Sequence, residues 1–442
     1  MCFQFSRSVI ALTIIVLAAL SLSSCGNRER RGEEKTDAQA DTTTLNRDFI
    51  AQSHSSEVPI SKVTFFIENS GSMLGYVKQA NNYINAIVSL AYAPEFDKAN
   101  KEFYFINGTS SKGKDSQVFT SLIGTDADVL KSNLNPNGFQ KYGDPRYSDL
   151  TRMFEIALGY ATGNSISILV SDCIYDVGTE SNPLMALKVE TEKTKKVFRE
   201  RLATDDIQTI LIKAESDFSG NYYFASKKGS VALNQKRPFY ILIFGNSKLL
   251  NKYFTEDILT KQVSGYISMV RFMKIDSSQV SYQATAQNRK GSFRFDYSNK
   301  NILTSVEKDR NDFFQFSIAV DYSSLPFPNS YYENKENYVI NLSEYNIVEI
   351  QRPSESIPEV PFTPSHLITV GTNSNPFGNL EVSLIYKTPS WIEATTINDD
   401  STIVGDTTHT FGFKYLIDAI AEAYLYYNKQ QHLATFKIQI SD

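Results

Sequence analysis

Three cysteines, four histidines and a single tryptophan are all that the 442 residues hold of the side chains that most often bind metals, carry redox chemistry or stack on sugars. His54, His366, His409 and His432 stand far apart, with no HxxxH or HxH spacing, so a zinc hydrolase centre has no ligand set to start from. Positive charge is not in excess either: Lys plus Arg number 44 against 49 Asp plus Glu, a net of −5. Phosphate binding needs a dense basic face, which excludes nucleic acid as the main partner. No G-x-x-x-x-G-K-[ST], G-x-G-x-x-G or G-x-S-x-G motif occurs, and phosphate-loop, dinucleotide and nucleophile-elbow readings go with them. No apolar run reaches the roughly 20 residues of a membrane-spanning helix. Glycan binding is not expected: Trp391 stands alone, and many of the 29 Phe and 25 Tyr fall at alternate, core-facing positions.

What is there is ordinary globular chemistry, 41% hydrophobic and 21% charged, enough for two or three domains with cores of their own. The N-terminus is an exception. Arg7 precedes a 14-residue apolar run, Val9 to Leu22, with the length of a signal-peptide core. The run ends in Leu22-Ser23-Ser24-Cys25, which resembles the bacterial lipobox: an aliphatic residue, two small ones, then the cysteine that is diacylated before cleavage. The resemblance implies a lipoprotein signal peptide over residues 1–24 and a lipid anchor on Cys25. Cys2 would then be removed and Cys25 acylated, leaving Cys173 without an intramolecular partner. Residues 25–59 are polar, charge-mixed and nearly free of large aliphatics, so they cannot bury enough surface to offset ordering entropy and read as a flexible tether.

Val63 to Ile67 is a short continuous apolar run, the pattern of a strand covered on both faces. The loop Glu68-Asn69-Ser70-Gly71-Ser72-Met73 follows, then a helical spacing of Met73, Val77, Ala80, Ile84, Ile87, Val88 and Ala91. Similar runs recur at Phe103 to Ile106, Ile166 to Val170, Ile207 to Ile212 and Phe239 to Phe244, with helical patterns at Ser148 to Tyr160 and Pro183 to Leu202. This alternation predicts an α/β, doubly wound, mainly parallel sheet over residues 60–265. Ligands of such sheets bind at the carboxyl ends of strands, where the Glu68 loop lies.

Those residues resemble the von Willebrand factor A domain, also seen in integrin I domains. Its signature is Asp-x-Ser-x-Ser after the first strand, a Thr in a later loop, and an Asp closing a strand that reads LVTDG. Here Glu68-Asn69-Ser70-Gly71-Ser72-Met73 supplies the first element with Glu for Asp, and Leu169-Val170-Ser171-Asp172-Cys173 the third, with Ser for Thr and Cys for Gly. Ser148 best matches the middle position, with Thr151 the alternative. The resemblance covers roughly residues 60–262. It implies a metal-ion-dependent adhesion site in which Glu68, Ser70, Ser72, Ser148 and Asp172 hold Mg2+ or Mn2+. All-oxygen donors suit such hard cations. It also implies a position left open for a carboxylate from a partner protein.

Beyond residue 275 the rhythm changes to two. Phe293, Phe295 and Tyr297; Phe314, Phe316, Ile318 and Val320; Leu380, Val382 and Leu384; and Phe436, Ile438 and Ile440 alternate with more polar residues. This predicts a β-rich domain over 275–442, a sandwich among the possibilities, with an amphipathic helix, Phe411 to Tyr427, covering that sheet. The expected function is that of a bacterial envelope lipoprotein, at the outer membrane by family analogy, binding a partner through a divalent cation. A degenerate domain serving as a structural component of an envelope complex is the alternative. A Mg-dependent hydrolase is the weaker reading, since no nucleophile and base pair accompanies the cluster.

Overall fold

Seven strands form the sheet that carries the candidate loops: β1 Lys62–Glu68, β2 Asn100–Asn107, β3 Phe119–Gly124, β4 Ser165–Ser171, β5 Ile207–Tyr223, β6 Ser230–Asn246 and β7 Tyr266–Phe272. They were obtained from a computed structural model that describes residues 59–108, 119–146, 148–175, 177, 182–275, 280–325, 327–428 and 432–442. The signal segment, Cys25 and the tether to residue 58 lie outside the described residues. The strand order is β3-β2-β1-β4-β6-β5-β7. β1 is central and parallel to both β2 and β4. The pairs β2–β3, β4–β6, β6–β5 and β5–β7 are antiparallel. The sheet is thus mixed: where a mainly parallel one was expected, parallel pairing is found in β2-β1-β4, where the candidate loops are, and the outer pairs are antiparallel.

Side chains leave the two faces alternately, and both faces are covered. Phe65, Ile67, Ile168, Val170, Ile241 and Ile243 enter one core, with the helices Asn82–Ala91 and Ser247–Tyr253 packed over it. Phe66, Leu169, Leu242 and Phe244 enter the other, under Leu150–Tyr160 and Pro183–Thr204. Two-sided burial is why these strands read as unbroken apolar runs.

The remaining strands build two further sheets. One has five strands, including Ile302–Glu307, Gly378–Ile385 and His432–Ile440. The other has four, including Phe314–Asp321 and His366–Thr372. Phe316, Ile318 and Ile368 from one share a core with Leu380, Val382, Phe436 and Ile438 from the other, so the predicted β-rich part is a sandwich.

Its expected covering helix belongs elsewhere. The helix spans Phe413–Tyr427 and buries Phe413, Leu416, Ile417, Ile420 and Tyr424 in the second core of the seven-stranded sheet. The Phe413 ring stacks on Tyr240 of β6 at 4.3 Å. The Tyr424 hydroxyl donates to the Ile207 carbonyl at 3.1 Å and lies 2.9 Å from the Thr209 hydroxyl, both on β5. The physical reason is vacancy: this stripe fills the face beside Pro183–Thr204. The segment 390–428 is therefore part of the α/β layer, although the chain reaches it only after most of the sandwich.

The helix expected from Met73 is also divided. A 3-10 turn, Gly71–Tyr76, comes first, and the α-helix starts at Asn82, capped by the Asn81 side chain, which accepts from the Ile84 amide at 3.2 Å. The Tyr76 hydroxyl donates to the Pro238 carbonyl at 2.6 Å, so the turn is held against β6 and cannot run straight into the helix.

Candidate functional site

β1 delivers Glu68 to the sheet edge, where the chain leaves for the Gly71–Tyr76 turn. Asn69 fixes this exit: its amide group donates to the carbonyls of Phe139 and Tyr142, each at 2.9 Å. The Gly71 amide donates to the Pro145 carbonyl at 2.6 Å. These bonds draw the 139–145 segment over the loop. Gly143 is required there: its φ is +70°, and a Cβ would fall 2.1 Å from the Asn107 side-chain oxygen.

Ser70 occupies the cap position of the turn, yet its side chain makes no cap hydrogen bond. Its hydroxyl instead lies 3.1 Å from that of Ser72. The Ser148 hydroxyl donates to Glu68 Oε1 at 2.9 Å, and the Ser171 hydroxyl donates to Glu68 Oε2 at 2.5 Å. Thr151, the alternative to Ser148, is turned away and bonds to Thr194 at 2.9 Å.

β4 delivers Asp172 beside Glu68. The chain then turns sharply at Cys173, whose φ of +55° lies in the left-handed region, a conformation that costs a non-glycine residue about 1 to 2 kcal/mol. Two side-chain acceptors hold the turn: Ser171 Oγ takes the Cys173 amide at 2.8 Å, and Asp172 Oδ1 takes the Ile174 amide at 3.3 Å. The Cys173 thiol is fully buried, and burial pushes its pKa well up, so it is no nucleophile at neutral pH.

Glu68 and Asp172 are 1% and 3% exposed, and the cost of burying charge governs both. Burial first and the neighbouring Asp172 second push Glu68 up to about 7, against the opposing hydrogen bonds of Ser171, Ser70 and Ser148. Asp172 is also raised by burial; the Ser72 hydroxyl and the Arg237 guanidinium work the other way. Arg237, on β6, is itself buried, its guanidinium 4.5 Å from the centre of the Tyr222 ring.

All five residues expected from the sequence, Glu68, Ser70, Ser72, Ser148 and Asp172, line one cavity of about 430 Å3. Sequence reasoning missed Ser171 as a partner of Glu68 and Arg237 as the nearby positive charge. Tyr223 and Phe224, where the β5–β6 hairpin turns, also form part of the cavity wall with Leu74, Ile174 and Tyr175. The oxygen set consists of two carboxylates and several hydroxyls; no group of three or more His, Cys, Asp or Glu able to hold a metal occurs among the described residues. Nor is any helix among them long and apolar enough to cross a membrane.

No family model matches the chain, and no curated protein matches it. Among solved structures, the human COPII-coat protein Sec24c aligns over 43% of this chain at 7% identity, with a TM-score of 0.14; the chain spans 40% of that protein's length.

Proposed function

We propose that the chain is a bacterial envelope lipoprotein, anchored through Cys25, that binds a partner protein by way of a divalent cation at the end of β1 and β4. The reading takes the α/β layer as a von Willebrand A-like domain, with which a central β2-β1-β4 parallel set is compatible. One observation carries it: Glu68, Ser70, Ser72, Ser148 and Asp172, from three separate loops, face a single cavity. The spacing of the serines fits a hard ion. Two ligands at about 2.1 Å on adjacent corners of an octahedron are about 3 Å apart, and the two hydroxyls of Ser70 and Ser72 are 3.1 Å apart with neither spent on a helix cap. Mg2+ or Mn2+ would be held by these hydroxyls with Ser148, Glu68 and Asp172 about them. The ion would supply a Lewis-acidic seat for a partner's carboxylate and offset the paired buried acids.

The test is thermal unfolding of the full chain with and without Mg2+ or Mn2+. An ion bound only by the native state adds RT ln(1 + [L]/Kd), about 2.7 kcal/mol at a hundredfold excess over Kd. Asp172→Ala is expected to abolish that increment while the protein remains folded without the ion. A melting temperature indifferent to either ion up to millimolar concentration would remove the adhesion-type mechanism and favour the structural-component reading.

A further inference from the structure

β5 and β6 are each 17 residues long, far more than the sheet uses. β4 pairs only with Tyr240 to Phe244 of β6, and β7 only with Thr209 to Ala214 of β5. The rest, Glu215 to Tyr223 against Ser230 to Pro238, runs on as a two-stranded ribbon. Such a ribbon is marginal by itself in water, and here both its middle and its tip are held. Midway along, it lies against the Gly71–Tyr76 turn so closely that a Cβ on Gly75 would fall 2.3 Å from the Phe218 ring, and one on Gly220 2.7 Å from the Gly75 Cα. At the tip, Asp400, fully buried and far along the chain, accepts from the Tyr222 hydroxyl at 2.9 Å, the Ala225 amide at 2.7 Å, the Ser226 amide at 3.2 Å and the Ser226 hydroxyl.

Held in this way, the tip closes one side of the cavity. Tyr223 is 49% exposed, and its ring lies against Gly71, between the two serines; a Cβ there would be 3.2 Å from the ring. Phe224 and Ala225 continue the wall, with Leu74 and Ile174 also lining the cavity. Cation coordination has no use for apolar walls. A ligand entering past them does, because each ring or aliphatic side chain it covers adds apolar burial to the polar contact at the bottom.

We propose, on the basis of the cation reading above, that the hairpin tip is a specificity wall and Asp400 its positioning residue. The site takes a carboxylate carried beside an aromatic or bulky apolar side chain, as in a partner loop where an acidic residue adjoins an aromatic one. The test uses the full chain with saturating Mg2+ and two probes, N-acetyl-aspartyl-phenylalanine amide and N-acetyl-aspartyl-glycine amide, compared by calorimetry.

The aromatic probe is expected to bind at least about tenfold more tightly, the scale of one ring contact with its buried area. Tyr223→Ala, at a half-exposed position, is expected to bring the two probes within about twofold while Mg2+ affinity is unchanged. Asp400→Asn is expected to lower the preference and to speed amide hydrogen exchange at Ala225 and Ser226 selectively, again with Mg2+ affinity retained. Equal affinities for the probes on the Mg2+-loaded protein, or a preference that survives Tyr223→Ala, would overturn the wall proposal and leave the cation reading intact. Failure to bind Mg2+ at all would refute the cation reading, and the wall proposal would fall with it.

Discussion

Replacing Glu68 by Gln separates the charge of this side chain from its shape. In the folded protein, burial and Asp172 raise Glu68 from an ordinary value of 4.5 to about 7, so the native state holds its proton more tightly than the unfolded chain does. Stability must then fall as pH rises from about 4.5 to about 7, and stay level above. A gap of about 2.5 pH units corresponds to about 3 kcal/mol lost to ionisation at this one buried site. The carboxamide of the variant never ionises, so Glu68→Gln is expected to match wild type near pH 4.5 and to exceed it by up to about 3 kcal/mol at pH 8 in chelator. Over a folded body of roughly 390 residues that is a rise of about 4 °C in Tm. Urea unfolding at the two pH values is the assay. Added Mg2+ should restore wild type at pH 8 and do far less for the variant, because the ion offsets a charge that the amide lacks. A difference between the two proteins that is the same at both pH values, or a wild type that is the more stable at pH 8, would refute the reasoning.

Two further outcomes are expected. A fragment of residues 59–275 should fail to fold, because Leu416, Ile417 and Ile420 would be missing from the second core, at about 1.5 to 3 kcal/mol each. A cooperative urea transition of that fragment would count against it. Cys25→Ala should move the protein from the membrane fraction to the soluble or precursor pool, and unchanged acyl labelling would show the lipobox reading to be wrong.

The strands and loops of the site were legible because each of β1, β2 and β4 is an apolar run buried on both faces, and because Glu68, Ser70, Ser72 and Asp172 follow two of those runs directly. Strand direction was not legible. Between Ile212 and Phe239 the sequence leaves 26 residues, long enough for a helical crossover and a parallel pairing. In the fold this stretch is the ribbon itself, turned by only Phe224 to Gly229, so β5 and β6 are antiparallel. Ser171 gave a weak signal as a hydroxyl beside Asp172, but a strand-end serine satisfies many roles. Arg237 gave less, since Lys236-Arg237 reads as a solvated pair before an apolar strand. The stripe of Phe413–Tyr427 announced that the helix is covered; it carried no word on which of two sheets covers it, because any apolar face satisfies it equally.

That helix also sets a timetable. A chain made from its N-terminus completes β7 at residue 272 but does not possess the cover for Tyr240 and Phe272 until residue 427. At 5 to 20 residues per second the interval is roughly 8 to 30 s. During it the second face of the central sheet is covered only in part, by Leu150–Tyr160 and Pro183–Thr204, so the layer bearing the candidate site closes only near the end of synthesis, after most of the sandwich that lies between the two in sequence has been made.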